Sequence, residues 1–167
     1  MAAGVIVSFH SREHDHQVCI TEALTAAEEV CRRRGARLTA LRRLILELVW
    51  SHHQPVGAYD LLDALRRDRR RAAPPTVYRA LEFLIDNGLI HRIESLNAYV
   101  GCGGPSMAHS GQFLICRACQ SVAELDDAAI ETAIGARAEA LGFRVLEQTV
   151  EVLGLCPACL SARPEAT

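Results

Sequence analysis

The sequence predicts an α+β chain in two parts: a helical half closed by a β-hairpin, the winged-helix arrangement, and a small α/β half carrying a four-cysteine clasp. Three observations predict it. Apolar residues recur at helical spacing in successive stretches between residues 22 and 88, and the pattern then switches to two short strands. Two Cys-x-x-Cys knuckles, Cys116/Cys119 and Cys156/Cys159, bracket the second half. Charge divides between the halves: residues 31–92 hold 13 Arg against 6 acidic residues, whereas residues 96–167 hold 4 Arg against 8. A basic half joined to an acidic half implies a division of labour that the net charge of −2 conceals.

The 167 residues suit two small domains. The expected boundaries are a tail over 1–21, a winged-helix domain over 22–100, a hinge over 101–110, a zinc-binding domain over 111–160 and a second tail over 161–167. No apolar run approaches the ~20 residues that span a bilayer. "MAAGVIVSFHSREHDHQ" has neither the basic start nor the apolar core of a signal peptide. The expectation is a cytoplasmic chain with no membrane partner. Seven cysteines in that setting point to metal or thiol chemistry rather than disulfides.

In chain order, an Ala/Glu-rich helix is expected from about Glu22 to Arg34, broken by Gly35. Thr39 is a candidate N-cap for a helix reaching Ser51, with Leu41, Leu44, Ile45 and Leu48 on its inner face. "HHQPVG" reads as a loop and "AYDLLDALRRD" as a third helix. "PTVYRALEFLIDNG" is a fourth, starting at Pro75 or Thr76 and closed by Gly88. Its inner face is Val77, Leu81, Leu84 and Ile85, which leaves Thr76, Tyr78, Arg79 and Glu82 outward. "LIHRIE" and "AYVGC" are two strands joined by "SLN". Helices followed by a hairpin place the fourth helix as the one that enters a DNA major groove. Arg79 is then the candidate for a bidentate guanine contact, with Thr76 and Tyr78 beside it. Arg37, Arg42, Arg69, Arg70 and Arg71 are candidates for phosphates. Asp63 and Arg66, three apart on one helix, are spaced to pair locally.

Past the Gly/Pro/Ser-rich "GCGGPSMAHSG", "QFLIC" and "SVAEL" are strands around the first knuckle. "DAAIETAIGARAEALG" is a helix with Ile130, Ile134 and Leu141 on one face, and "FRVLEQTVEVLGLC" is a strand running into the second knuckle. This half is short of apolar bulk and is expected to need zinc and a dimer partner. Two Cys-x-x-Cys knuckles are the signature of a tetrahedral zinc site, although the 36-residue gap between them is longer than in a zinc ribbon. The rival is a pair of redox dithiols. A redox Cys-x-x-Cys needs a helix N-terminus to stabilise its thiolate, and neither knuckle clearly opens one. His91, Cys102, His109 and Glu124 remain as further possible ligands. Singly they read as an exposed His, a small buried Cys, a lone His and a solvated Glu; together they would make a nitrogen, sulfur and oxygen tetrad suited to zinc. The N-terminal "HSREHDH" (His10, Glu13, His14, Asp15, His16) reads as a polar tail rather than a metal site, and His52 and His53 as loop residues.

The motifs "RLTALR", "AYDLLDALR", "PPTVYRALEFLIDNGLIHRIES", "AYVGC", "ICRACQSVAE" and "GLCPAC", in that order over about residues 28–160, resemble the ferric uptake regulator family, and most closely its zinc uptake regulator branch. The resemblance implies a homodimeric, metal-activated transcriptional repressor that reads a pseudo-palindromic double-stranded DNA operator. It implies two zinc ions per subunit: a structural one on Cys116, Cys119, Cys156 and Cys159, and a regulatory one on His91, Cys102, His109 and Glu124. It also puts Tyr59 at the DNA. The branch rests on two departures from the iron-sensing pattern: only "MAHSG" stands where iron sensors carry a His-rich run, and Cys102 supplies a thiolate that favours zinc over Fe(II). An iron- or peroxide-responsive regulator, a thiol redox enzyme built on the Cys-x-x-Cys pairs, and a DNA-binding module with one zinc and no sensing are the alternatives.

Overall fold

The computed structural model describes residues 4–9, 16–51, 54–67, 73–105 and 111–162. In chain order its elements are β1 (Val5–Val7), α1 (His16–Arg33), α2 (Ala40–Trp50), β2 (Val56–Gly57), α3 (Ala58–Arg67), α4 (Pro74–Asp86), β3 (Ile90–Ile93), a 3-10 turn (Glu94–Leu96), β4 (Ala98–Gly101), β5 (Gly111–Cys116), β6 (Val122–Leu125), α5 (Ala128–Ala140), β7 (Thr149–Gly154) and α6 (Pro157–Ser161). They form two units, one of residues 10–107 and one of residues 1–9 with 108–167.

In the first unit, Thr39 caps α2 as expected, its hydroxyl accepting from the Arg42 N–H at 3.4 Å. The innermost residues of α2 are Ile45, Leu46 and Val49, with Leu41, Leu44 and Leu48 only partly covered. The buried stripe is rotated from the expected one because α2 packs against both α1 and α4 and needs a wider apolar face. On α4, Val77, Leu81 and Leu84 point inward as expected, but Ile85 is 38% exposed and Ala80 is inside instead. The helical period puts Ile85 at the edge of a stripe centred on Val77 and Leu84. The helix starts at Pro74, with Ala73 as an N-cap that offers no side-chain bond; the prolines lack the N–H that a cap would satisfy. Gly88 closes it at φ +66°, where a side chain would be strained. Its N–H reaches Ile85 O at 2.8 Å, and Leu89 N–H reaches Leu84 O at 2.9 Å, a Schellman ending.

The hairpin follows at once. His91 pairs with Val100 and Ile90 with Gly101, and β2 adds a third strand through Val56 opposite Tyr99, giving the order β2-β4-β3. β2 is two residues long and was expected as loop, since a strand that short has no alternation to read. The core joins α1, α2, α3, α4 and the hairpin. Leu84 is wholly buried at its centre. Leu84→Ala is expected to destabilise this unit by about 2–5 kcal/mol, seen as a lower urea midpoint at unchanged slope.

In the second unit the sheet order is β1-β6-β5-β7, with β5 and β7 parallel and the other pairs antiparallel. Its first strand corrects an expectation. In place of a tail over residues 1–21, Val5–Val7 pairs with β6 and α1 already begins at His16, not near Glu22. Three apolar residues carry no signal of their own until a sheet edge is there to receive them. His10, Glu13, His14 and Asp15 lie outside the described residues. Asp127 caps α5 through the Ala129 N–H at 2.8 Å, and Gly142 ends it at φ +70°. No residue of α5 is buried. Leu141, Phe143 and Leu146 are 85%, 67% and 86% exposed. Of the apolar face expected on this helix, Ile130 is half-buried, while Ile134 and Leu141 are exposed.

Candidate metal centre and nucleic-acid interface

The parallel pairing of β5 with β7 assembles the cysteine cluster. Cys116, the last residue of β5, lies opposite Gly154, the last residue of β7. Arg117 N–H then donates to Gly154 O at 2.9 Å, so the two knuckles begin side by side despite the 36 residues between them. The first knuckle is a tight turn. Gln120 N–H returns to Cys116 O at 2.8 Å, with Gln120 itself in the left-handed region at φ +60°. The second opens α6, whose N-cap is Cys156: its sulfur accepts from the Cys159 N–H at 3.4 Å.

That helix overturns one expectation, because a knuckle does stand at a helix N-terminus. What separates a clasp from a dithiol is the meeting of all four sulfurs, which lie within 4.8 Å of one another. Cys119 Sγ and Cys156 Sγ, from different knuckles, are 3.7 Å apart. A tetrahedron with Zn–S bonds of 2.3 Å has sulfur–sulfur edges of about 3.8 Å. The donor set therefore fits zinc in both kind and spacing.

The thiols are graded in acidity. Burial would raise Cys116, but N–H groups of Cys156, Cys119 and Ala118 outweigh it and bring the thiol down to about 6. The Ser121 hydroxyl and N–H lower Cys119. Hydrogen bonds with the Cys119 and Cys156 sulfurs, and then burial, push Cys159 up to about 12.

A second donor pair lies in the helical unit. His91, on β3, is half-buried, and Cys102, just past β4, is buried. Their nearest ligand atoms are within 4.8 Å. The Cys102 N–H donates to Leu89 O at 3.1 Å, extending the hairpin ladder by one rung. Glu124 is on β6 of the other unit, opposite Phe113 of β5, and is buried rather than solvated. His109 lies outside the described residues.

On the helical unit, Tyr59 is 72% exposed in the first turn of α3, and Thr76, Tyr78 and Arg79 are exposed on α4. Arg37 and Arg79 form no ion pair with another described residue. Other arginines are engaged. Arg32 and Arg33 pair with Glu29, and Arg34 donates to Asp86 O at the end of α4 at 3.0 Å. Arg42, expected at a phosphate, is half-buried; it donates to Arg37 O at 2.6 Å and lies over the Phe83 ring at 3.4 Å. Arg66 and Asp63 pair locally at 3.3 Å, as their spacing predicts. Arg69, Arg70, Arg71, His52 and His53 lie outside the described residues.

The Ferric uptake regulator family model matches residues 33–153, most of the chain. The chain belongs to the ferric uptake regulator family. Within that family it is similar to the zinc uptake regulation protein of Escherichia coli, 39% identical over 140 residues that cover 83% of this chain and 82% of the relative. Among solved structures, a zinc uptake regulator complexed with zinc and DNA is 38% identical with TM-score 0.81, covering 85% of this chain and 95% of that one. The holo form of XcZur is 48% identical with TM-score 0.78, covering 84% and 99%. These matches fall in the zinc uptake branch of the ferric uptake regulator family, as the motifs imply. Among the described residues no helix is long and apolar enough to cross a membrane.

Proposed function

We infer that this chain is a zinc-responsive, dimeric transcriptional repressor that binds a pseudo-palindromic operator at genes for zinc uptake. The observation that carries the reading is the presence of two separate donor sets, a four-sulfur clasp within one unit and a His/Cys pair at the end of the wing. The similar regulator solved in complex with zinc and DNA, and the relative named as a zinc uptake regulation protein, support it. One zinc per subunit would sit on Cys116, Cys119, Cys156 and Cys159 and hold the small unit together. A second would take His91 and Cys102 from the winged helix, with His109 and Glu124 from the rest of the chain. Zinc supplies cross-linking here, not chemistry: ligands from both sides of the 101–110 segment would restrict how the reading heads are presented, selecting the DNA-competent arrangement. The exposed apolar side chains of α5 and the strand approach, Leu141, Phe143 and Leu146, beside a groove of about 750 Å³, support self-association through the C-terminal unit.

The test is binding to duplexes selected from random pools, measured against buffered free zinc. Affinity should rise as the second zinc loads. A flat response to zinc with a rise on Fe(II) or peroxide would move the chain to another branch's behaviour, and failure to select any duplex would end the repressor reading. Within the same assay, Arg79→Ala is expected to cost about 1–3 kcal/mol and to relax the preference at one base pair. Arg37→Ala should instead weaken all duplexes alike and flatten the salt dependence.

A further inference from the structure

We propose that Trp50 is a positioning residue for the regulatory metal: its indole is the backstop that holds His91 and Cys102 at metal-ligand separation. This rests on the reading of those two residues as zinc ligands.

Trp50 is the last residue of α2 and packs against the core of the helical unit. A Cβ added to Gly101 would lie 2.1 Å from its Cε2, 2.3 Å from its Nε1 and 2.6 Å from its Cζ2. The indole therefore occupies the space that a side chain at position 101 would need. A glycine inside a strand often marks such a close approach, and here the approaching group is on another element.

The direction of the contact matters. Side chains alternate along a strand. The missing side chain of Gly101 belongs to the same face as that of Ile90, its pairing partner, which is buried in the core. His91, paired with Val100, and Cys102, one residue past Gly101, belong to the opposite face. The rung between the two donors is thus pressed from behind by a rigid aromatic ring fixed to α2. Within the ladder itself the Cys102 N–H to Leu89 O bond, 3.1 Å, ties the cysteine to the residue that precedes β3. Metal ligands tolerate displacements of only a few tenths of an ångström, so a rung free to move would blur the donor pair even with both ligands intact.

The experiment uses the full-length reduced chain holding its first zinc. A second ion is titrated as buffered zinc, and separately as Co(II), whose thiolate absorption reports whether Cys102 is bound. Trp50→Ala should weaken uptake of the second ion by roughly 10–100-fold, the usual cost of losing a group that orients a ligand. It should also reduce the cobalt–thiolate band, with the first zinc retained. Gly101→Ala should shift affinity the same way because its methyl collides with the indole, and Trp50→Phe should shift it less. In the Trp50→Ala/Gly101→Leu variant the leucine refills the space from the strand side, so most of the affinity should return; a general loss of stability predicts no such rescue. Trp50 is the only tryptophan, so its emission should also change as the second ion binds to the wild type. The proposal is overturned if folded Trp50→Ala or Gly101→Ala takes up the second ion with wild-type affinity and an unchanged cobalt band, or if the double variant is no better than Trp50→Ala. A wild type that accepts only one ion, or a Cys102→Ser chain that keeps the second ion and its cobalt–thiolate band, overturns the ligand reading itself and this proposal with it.

Discussion

Cys116→Ser is expected to cost the C-terminal unit its fold, not merely its metal. The unit has a thin core: among its described residues Phe113, Ile115, Val122 and Ala123 are the buried apolar ones beside the cysteines, and α5 buries none. Such a core supplies little of the stability that a whole domain has, about 5–15 kcal/mol, whereas a structural zinc contributes apparent binding energies on the order of 10–16 kcal/mol at neutral pH. Cys116 is wholly buried, and neighbouring N–H groups lower its thiol against the effect of burial, so its loss removes a ligand that the surrounding backbone already favours as a thiolate. The variant should lose one zinc per chain to a chelator that the wild type resists. Its thermal scan should keep a transition for the helical unit, whose core is separate, and lack one for the C-terminal unit. Cys19→Ser, on α1 and outside the cluster, is the control and should keep its zinc. A Cys116→Ser chain that retains the metal under the same chelator would mean that the four sulfurs are not the clasp.

How far the sequence alone reached follows from the length over which each signal is spread. α2, α3 and α4 repeat their apolar residues at helical spacing, and capping and breaking residues at Thr39, Gly88 and Gly142 mark where elements begin and end. Those elements are legible. β1, β2 and α6 are two to five residues long, and each exists because of a partner elsewhere: β6 for β1, β4 for β2, and the knuckle at Cys156 for α6. The knuckles were legible from spacing, but their convergence depends on the parallel pairing of Cys116 with Gly154, which no local pattern encodes. Trp50 carries no signal of its own in the sequence, because a tryptophan near a helix end reads as ordinary core. The one available hint was Gly101, a glycine within a strand. The contacts of Arg42 were not legible either: its guanidinium meets the Arg37 carbonyl and the Phe83 ring, which no spacing of basic residues predicts.

Cys102→Ser should separate sensing from folding. Cys102 is buried beside the hairpin ladder, and serine is close in size, so the helical unit should keep its stability. What changes is the donor: a hydroxyl replaces a thiolate, the ligand type that selects zinc over harder ions. The four-cysteine clasp, in the other unit, should keep its ion. Under the proposed function, DNA affinity of the variant at saturating zinc should fall to that of the chain with only its first zinc, a loss of about 5–150-fold if the coupling has the usual 1–3 kcal/mol. Linkage makes the same number appear in a second experiment. If zinc tightens operator binding by some factor, operator must tighten binding of the second zinc by that factor in the wild type, and by none in Cys102→Ser. Measuring both sides of the cycle guards against a variant that is merely misfolded, since misfolding lowers DNA affinity at every zinc concentration without selectively removing the coupling to the second ion. A Cys102→Ser chain whose DNA binding still rises with zinc as the wild type does would remove the wing pair from the sensor and leave the clasp as the only metal that matters.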